Sequence, residues 1–209
     1  KVGLAPRLPN GNGADYLSAP DHSSLEGMGK LTLEAWMYDE LNDTSARALI
    51  SKRVNYNSQI SYFLYKNGTS GNLYFYIGNA GGGSGNGSEF AGTTTAANTW
   101  YHAAATFDKD LPSNRMKVYL DGVYKSAQTG PSTAVPVTTS PLYLGVMNSS
   151  YATSLKGKLD EVRISNTARS ADWLAVDPLK DESRTAETPS DFGGAFLSLR
   201  NGIHNCVVF

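Results

Sequence analysis

Apolar and polar residues alternate with a period of two along much of this chain. Over 31–38, Leu31, Leu33, Ala35 and Met37 share one face, and Thr32, Glu34, Trp36 and Tyr38 the other. That is the pattern of a half-buried strand. The same reading predicts strands at 16–19, 47–52, 60–66, 73–78, 99–107, 116–120, 123–125, 142–146 and 158–164. The run NGTSGN joins two of them as a hairpin, and Asp121-Gly122 suits a type I′ turn at little steric cost. The Gly/Ser/Asn run 79–89 and the Pro/Thr/Ser run 128–140 predict loops. One short helix is expected up to 175, with Ser170 as its N-cap, Asp172 near its positive end and Pro178 as its stop. Many short strands with turn chemistry and a single helix indicate an all-β antiparallel β-sandwich of the jelly-roll kind. The pattern ends near 176. Residues 177–190 are charged without an apolar period, and 192–209 turn apolar again. The extension 177–209 has three readings: an extra hairpin, the start of a neighbouring module, or a strand donated to another molecule.

The stretch 157–170, GKLDEVRISNTARS, is expected to close the sheet. Strict alternation puts Asp160 on the face of Val162 and Ile164, with Leu159, Glu161 and Arg163 opposite. A carboxylate on a core-facing side needs a partner, because an unpaired buried charge is very costly. Adjacent residues point to opposite faces, so Asp160 and Glu161 do not form a catalytic acid pair. Glu161 and Arg163 share a face and suit a solvated ion pair worth under about 1 kcal/mol.

Composition narrows the class. The chain has 209 residues, of which 40% are hydrophobic and 18% charged, enough for one sizeable core. A net charge of -1 supplies no basic field for nucleic acid. No apolar run approaches the roughly 20 residues that span a bilayer. With one cysteine, Cys206, there is no internal disulfide and no cysteine-based metal site; its NCVVF context suits a small buried hydrophobe. His22, His102 and His204 have no metal-ligand spacing. No strand carries acids at alternate positions as glycoside hydrolysis uses them, so no catalytic residue is assigned.

The segments LTLEAWMY, ALISKR, WYHAAATFD, MKVYLDGV, PLYLGV and GKLDEVRISNTARS, preceded by GNGADYLSAPD, occur in the order of the laminin-G-like (concanavalin A-like) jelly-roll domain, which 11–175 resembles. The resemblance implies a domain at 1–176, an extracellular or cell-surface location, and binding of a glycan or protein ligand. It also implies a structural calcium ion held by Asp160 and the N-terminal loop at Asp15. Asp160 has a competing reading, in which it accepts backbone N–H groups or pairs with Arg163 or Lys158. Strand phase puts Trp36, Tyr38, Phe63, Tyr65, Tyr74 and Tyr76 on non-core faces, and Trp36, Tyr65, Tyr74 and Tyr76 are the candidate ligand-binding residues. Aromatic faces stack on sugars, but a one-residue slip turns a strand's set inward, and burial is expected for at least half of the six. The leading function is a non-catalytic, carbohydrate-binding or adhesion module. The alternative is a structural subunit of a surface assembly, a homo-oligomer or filament, whose C-terminal segment adds a strand to a neighbour.

Overall fold

The computed structural model describes residues 5–41, 43–55, 58–68, 70–79, 87–176 and 206–208. Two antiparallel sheets pack face to face. The first contains β1 (Arg7–Leu8), β3 (Lys30–Asp39), β8 (Trp100–Asp108), β9 (Met116–Leu120), β10 (Val123–Gln128) and β12 (Gly157–Ser165), in the order β1-β12-β3-β8-β9-β10. The second runs β2-β11-β4-β5-β6-β7, from β2 (Leu17–Ala19), β11 (Leu142–Leu144), β4 (Arg47–Asn55), β5 (Ser58–Lys66), β6 (Asn72–Gly78) and β7 (Gly87–Thr94). This is the expected jelly-roll sandwich, closed by one short helix, α1 (Ala171–Val176). The Ser170 hydroxyl caps that helix by accepting from Trp173 N at 3.2 Å.

The core lies where the alternation places it. Leu31, Leu33, Ala35 and Met37 of β3 face Tyr62, Leu64, Phe75 and Ile77 of β5 and β6. Truncating one of the larger of these, such as Phe75→Ala, costs about 3–5 kcal/mol through lost transfer energy and the cavity left behind. The hairpin β9–β10 turns on Asp121 and Gly122, both at positive φ (52° and 74°), as a type I′ turn requires.

Two expectations are corrected. Residues 87–89, expected at the end of a loop, open an edge strand, β7, which runs on through 94. Its sequence GSEFAGTT has two glycines and little bulk, so it carries no strand signal, and cross-strand pairing with β6 supplies the order. Second, β12 does not alternate strictly. A bulge between Asp160 and Arg163, with Glu161 at φ 46°, inserts a residue out of phase. Leu159, Val162 and Ile164 therefore all reach the core, and Asp160 lies opposite Trp36 in the register of β3 rather than on the core side. Within the C-terminal extension, β13 (Cys206–Val208) pairs antiparallel with Arg163–Ser165 of β12 in the same sheet. The remainder of 177–209, and the Cys206 side chain, lie outside what is described.

Candidate functional site

The outer face of the second sheet gathers the aromatic side chains. With Tyr62 and Leu64 turned into the core, Phe63 and Tyr65 must turn out, and the β5–β6 register sets Phe63 opposite Tyr76 and Tyr65 opposite Tyr74. Phe63 and Tyr76 stack at 4.7 Å and 11°, and Tyr65 and Tyr74 at 5.2 Å and 26°. The Arg53 guanidinium sits 4.8 Å above the Phe63 ring and 5.8 Å from that of Tyr151. The Tyr65 hydroxyl donates to Glu89 Oε1 at 2.5 Å. Met147 and Tyr151 pack against the group. Three of the four candidate residues, Tyr65, Tyr74 and Tyr76, are thus brought together.

The fourth is not. Trp36 lies on β3 in the other sheet, so it faces the opposite side of the sandwich. The expected shared platform is therefore divided by the fold. It is also largely closed: Trp36 is 9% exposed, Tyr65 and Tyr76 8% each, and Phe63 1%. Tyr74 and Tyr38 are half-buried. Rings that satisfy one another across strands have little face left for a ligand, and burial holds for four of the six residues.

The outer face of the first sheet mixes aromatic and polar side chains. His102 lies opposite Trp36, with ring centroids 5.4 Å apart, and Tyr38 meets Trp100 at 5.5 Å. Among the described residues neither oxygen of the buried Glu34 carboxylate has a hydrogen-bond partner, and His102 Nε2 stands 3.6 Å away. The segment after β12 crosses this face. Thr32 Oγ1 donates to Thr167 O at 2.6 Å and accepts from Arg169 N at 2.9 Å, and Leu174 packs on Ala104 and Tyr119. Glu34 is fully enclosed and is not presented to a substrate arriving from solvent.

For calcium, Asp15 and Asp160 belong to different elements. Asp15 Oδ2 accepts Asn10 N at 2.7 Å, and Asp160 Oδ1 accepts Glu161 N at 2.8 Å. Among the described residues no three Asp, Glu, His or Cys side chains gather as a metal site. The donor set does not form a carboxylate cage, and an ion there would draw most of its oxygens from main-chain carbonyls.

An open cleft at one end of the sandwich escaped the sequence reading. It holds about 550 Å³ between the β5–β6 turn and the β7–β8 connection. Its walls include Gly68, Ser70 and Gly71 on one side, Thr94 and Thr95 on the other, and Tyr101. Backbone bonds fix the shape: Thr95 N and Oγ1 both donate to Gly71 O, at 2.9 and 3.0 Å. Ala96 N donates to the Tyr101 hydroxyl at 3.2 Å, and Thr94 Oγ1 donates to Asn72 Oδ1 at 2.7 Å. Gly71 sits at φ 66°, where a side chain would be strained. A run of Gly, Ser, Thr and Ala has no periodicity, and that is why the sequence gives no sign of a site there.

Two buried lysines also went unread. Lys52 Nζ is enclosed by Asp21 Oδ1 (2.6 Å), Glu26 Oε2 (3.1 Å) and Ser140 O (2.8 Å). Lys66 Nζ meets Asp39 Oδ2 at 2.6 Å.

No curated protein matches the chain. Among solved structures it is similar to domain 4 of AbnA, a GH43 extracellular arabinanase from Geobacillus stearothermophilus, in complex with arabinotriose. Identity is 22%, the TM-score 0.61, and the match covers 84% of this chain and 77% of that one. A candidate carbohydrate binding protein from Bacteroides ovatus is 16% identical at TM-score 0.58, over 77% of this chain and 43% of that one. A Trypanosoma rangeli sialidase is 15% identical at TM-score 0.59, over 88% of this chain and 29% of that one. The chain thus spans less than half the length of the latter two. At these identities the likeness is one of fold. The sequence match is to the concanavalin A-like lectin/glucanases superfamily over residues 10–175, which takes in every strand from β2 to β12, and the chain belongs to that superfamily.

Proposed function

We propose that this chain is a non-catalytic carbohydrate-binding module acting outside the cell or at its surface. The observation that carries the reading is Tyr74, which stays half-buried while Phe63, Tyr65 and Tyr76 beside it are closed. Tyr74 keeps part of its ring open and is backed by Tyr65, whose hydroxyl is held by Glu89. A ring fixed in this way stacks on a sugar with little loss of rotamer freedom. Similarity to a domain solved with arabinotriose supports the ligand class. The test is binding to a glycan array, followed by calorimetry on the hits. Tyr74→Ala should weaken binding at least tenfold, and an array without a hit refutes the reading. Turnover assays on the bound polysaccharides should show none, since the one acid on the outer face of β3 is Glu34, which is fully enclosed.

A structural calcium ion held by Asp15 and Asp160 belongs to the same proposal. Chelator should lower the melting temperature, and Asp160→Ala should abolish that response; identical melting curves with and without chelator remove calcium from it. A second reading, strand addition to a neighbouring copy, is favoured by β13, a short C-terminal strand already seated on the edge of β12. It predicts oligomers of the full chain and a monomer after truncation at Pro178. A monomer in both cases ends it.

A further inference from the structure

The end cleft has a composition that selects a ligand. We propose that it is a binding subsite for a neutral, hydroxyl-rich sugar ring, separate from the aromatic group at Tyr74. The inference rests on the carbohydrate-binding reading and gives it a location and a charge preference.

Size comes first. About 550 Å³ falls within the range of small-ligand sites and accommodates one or two sugar rings. Chemistry comes next. The described lining consists of glycine, alanine, three hydroxyl side chains (Ser70, Thr94 and Thr95) and Tyr101. None of these carries a charge at neutral pH. A uronate or sialylated sugar would lose hydration there without meeting a cation, and an amine would meet no carboxylate. A neutral sugar finds both of its usual complements. The Tyr101 ring offers an apolar wall. Its hydroxyl already accepts from Ala96 N, so its O–H is directed to donate elsewhere. Thr94 Oγ1 and Thr95 Oγ1 have donated to Asn72 and to Gly71 O, which leaves their lone pairs as acceptors. Donor and acceptor roles are therefore assigned before a ligand arrives, and the loops that carry them are tied by backbone bonds. A preformed site of this kind avoids the entropy of ordering on binding.

Near the cleft lies the face that carries Tyr74. Asn72, which accepts from Thr94 of the cleft wall, lies two residues from Tyr74 on β6 and on the same face, a separation of about 7 Å along the strand. An extended oligosaccharide spans more than that, so one glycan chain can reach both places.

The test is amide chemical-shift mapping on the full chain with arabinotriose, cellotriose, maltotriose and trigalacturonic acid. At least one neutral trisaccharide should shift the amides of Gly71, Thr95 and Ala96, and trigalacturonic acid should leave them unmoved. Ala96→Trp, at an exposed position on the rim, should weaken that sugar at least tenfold with the fold unchanged. Tyr101→Phe, which removes the donor, should weaken it several-fold. Shifts confined to β5 and β6 and abolished by Tyr74→Ala, with Ala96→Trp binding normally, would overturn the cleft and leave the carbohydrate reading standing. Stronger binding of trigalacturonic acid at Gly71 and Thr95 would overturn the charge preference. No shift with any of the four sugars, together with an empty glycan array, would overturn both.

Discussion

The Lys66–Asp39 pair makes the sharpest demand on the energetics. Both side chains are almost completely buried, at 3% and 2% exposure, with Nζ 2.6 Å from Oδ2. They join β5 of one sheet to β3 of the other, at the end that carries the cleft. At an effective dielectric of about 20, the Coulomb attraction at this distance is about 6 kcal/mol. Desolvating each ion costs several kcal/mol, so the intact pair contributes little net stability. Breaking it is another matter. Lys66→Met leaves a buried carboxylate whose other oxygen, among the described residues, accepts from Leu41 N alone, at 3.1 Å. The expected loss is about 3–5 kcal/mol, or roughly 6–20 °C in Tm for a chain of this size. Adding Asp39→Leu removes the stranded charge, so the double variant should be more stable than Lys66→Met alone by about 2 kcal/mol, although Leu41 N then lacks its acceptor. Urea unfolding of the wild type, both single variants and the double variant measures all four corners of the cycle. A loss under about 1 kcal/mol for Lys66→Met, or a double variant weaker than both singles, would refute the burial argument.

Two further outcomes concern titration. Burial raises the pKa of the Tyr62 phenol, with the Glu26 and Asp21 charges adding to the shift, and its hydroxyl has no hydrogen-bond partner among the described residues. A raised folded pKa gives stability that is complete below the unfolded value of about 10 and is lost as pH rises beyond it. Tyr62→Phe should therefore leave stability at pH 7 unchanged or raise it by up to about 1 kcal/mol, and should flatten the alkaline loss; a variant destabilised by more than 1 kcal/mol contradicts the unpartnered hydroxyl. Asp43 is held below the usual carboxylate range by its bond to Arg47, Oδ2 to Nη2 at 2.6 Å. Its contribution is present above about pH 4 and disappears as pH falls through the lowered value. Because Asp43 is well exposed, Asp43→Asn should reduce stability at pH 7 by no more than about 1 kcal/mol and make acid unfolding below pH 4 less steep; an unchanged acid limb refutes the pairing.

Local sequence determined the strands that form this sandwich, because side-chain alternation and turn chemistry act over a few residues. The 31–38 face, the Asp121-Gly122 turn and the Ser170 cap were all legible, and the family's motif order was legible from segments of the same kind. Tertiary structure decided everything that depends on which strand lies beside which. It separated Trp36 from Tyr74 by placing them on opposite sheets, a distinction that phase within one strand cannot express. It reversed the expected orientation of Asp160, because the bulge at Glu161 accommodates pairing with β3 rather than a local preference. It ordered 87–94, whose residues have little strand propensity, by pairing them with β6. It buried Lys52 and Lys66 by surrounding them with partners distant in the chain, such as Asp21 and Asp39. The end cleft belongs to the same class. Glycine, serine and threonine at 68–71 and 94–95 become a site only when two connections from separate parts of the chain converge, and no pattern within either one encodes that meeting.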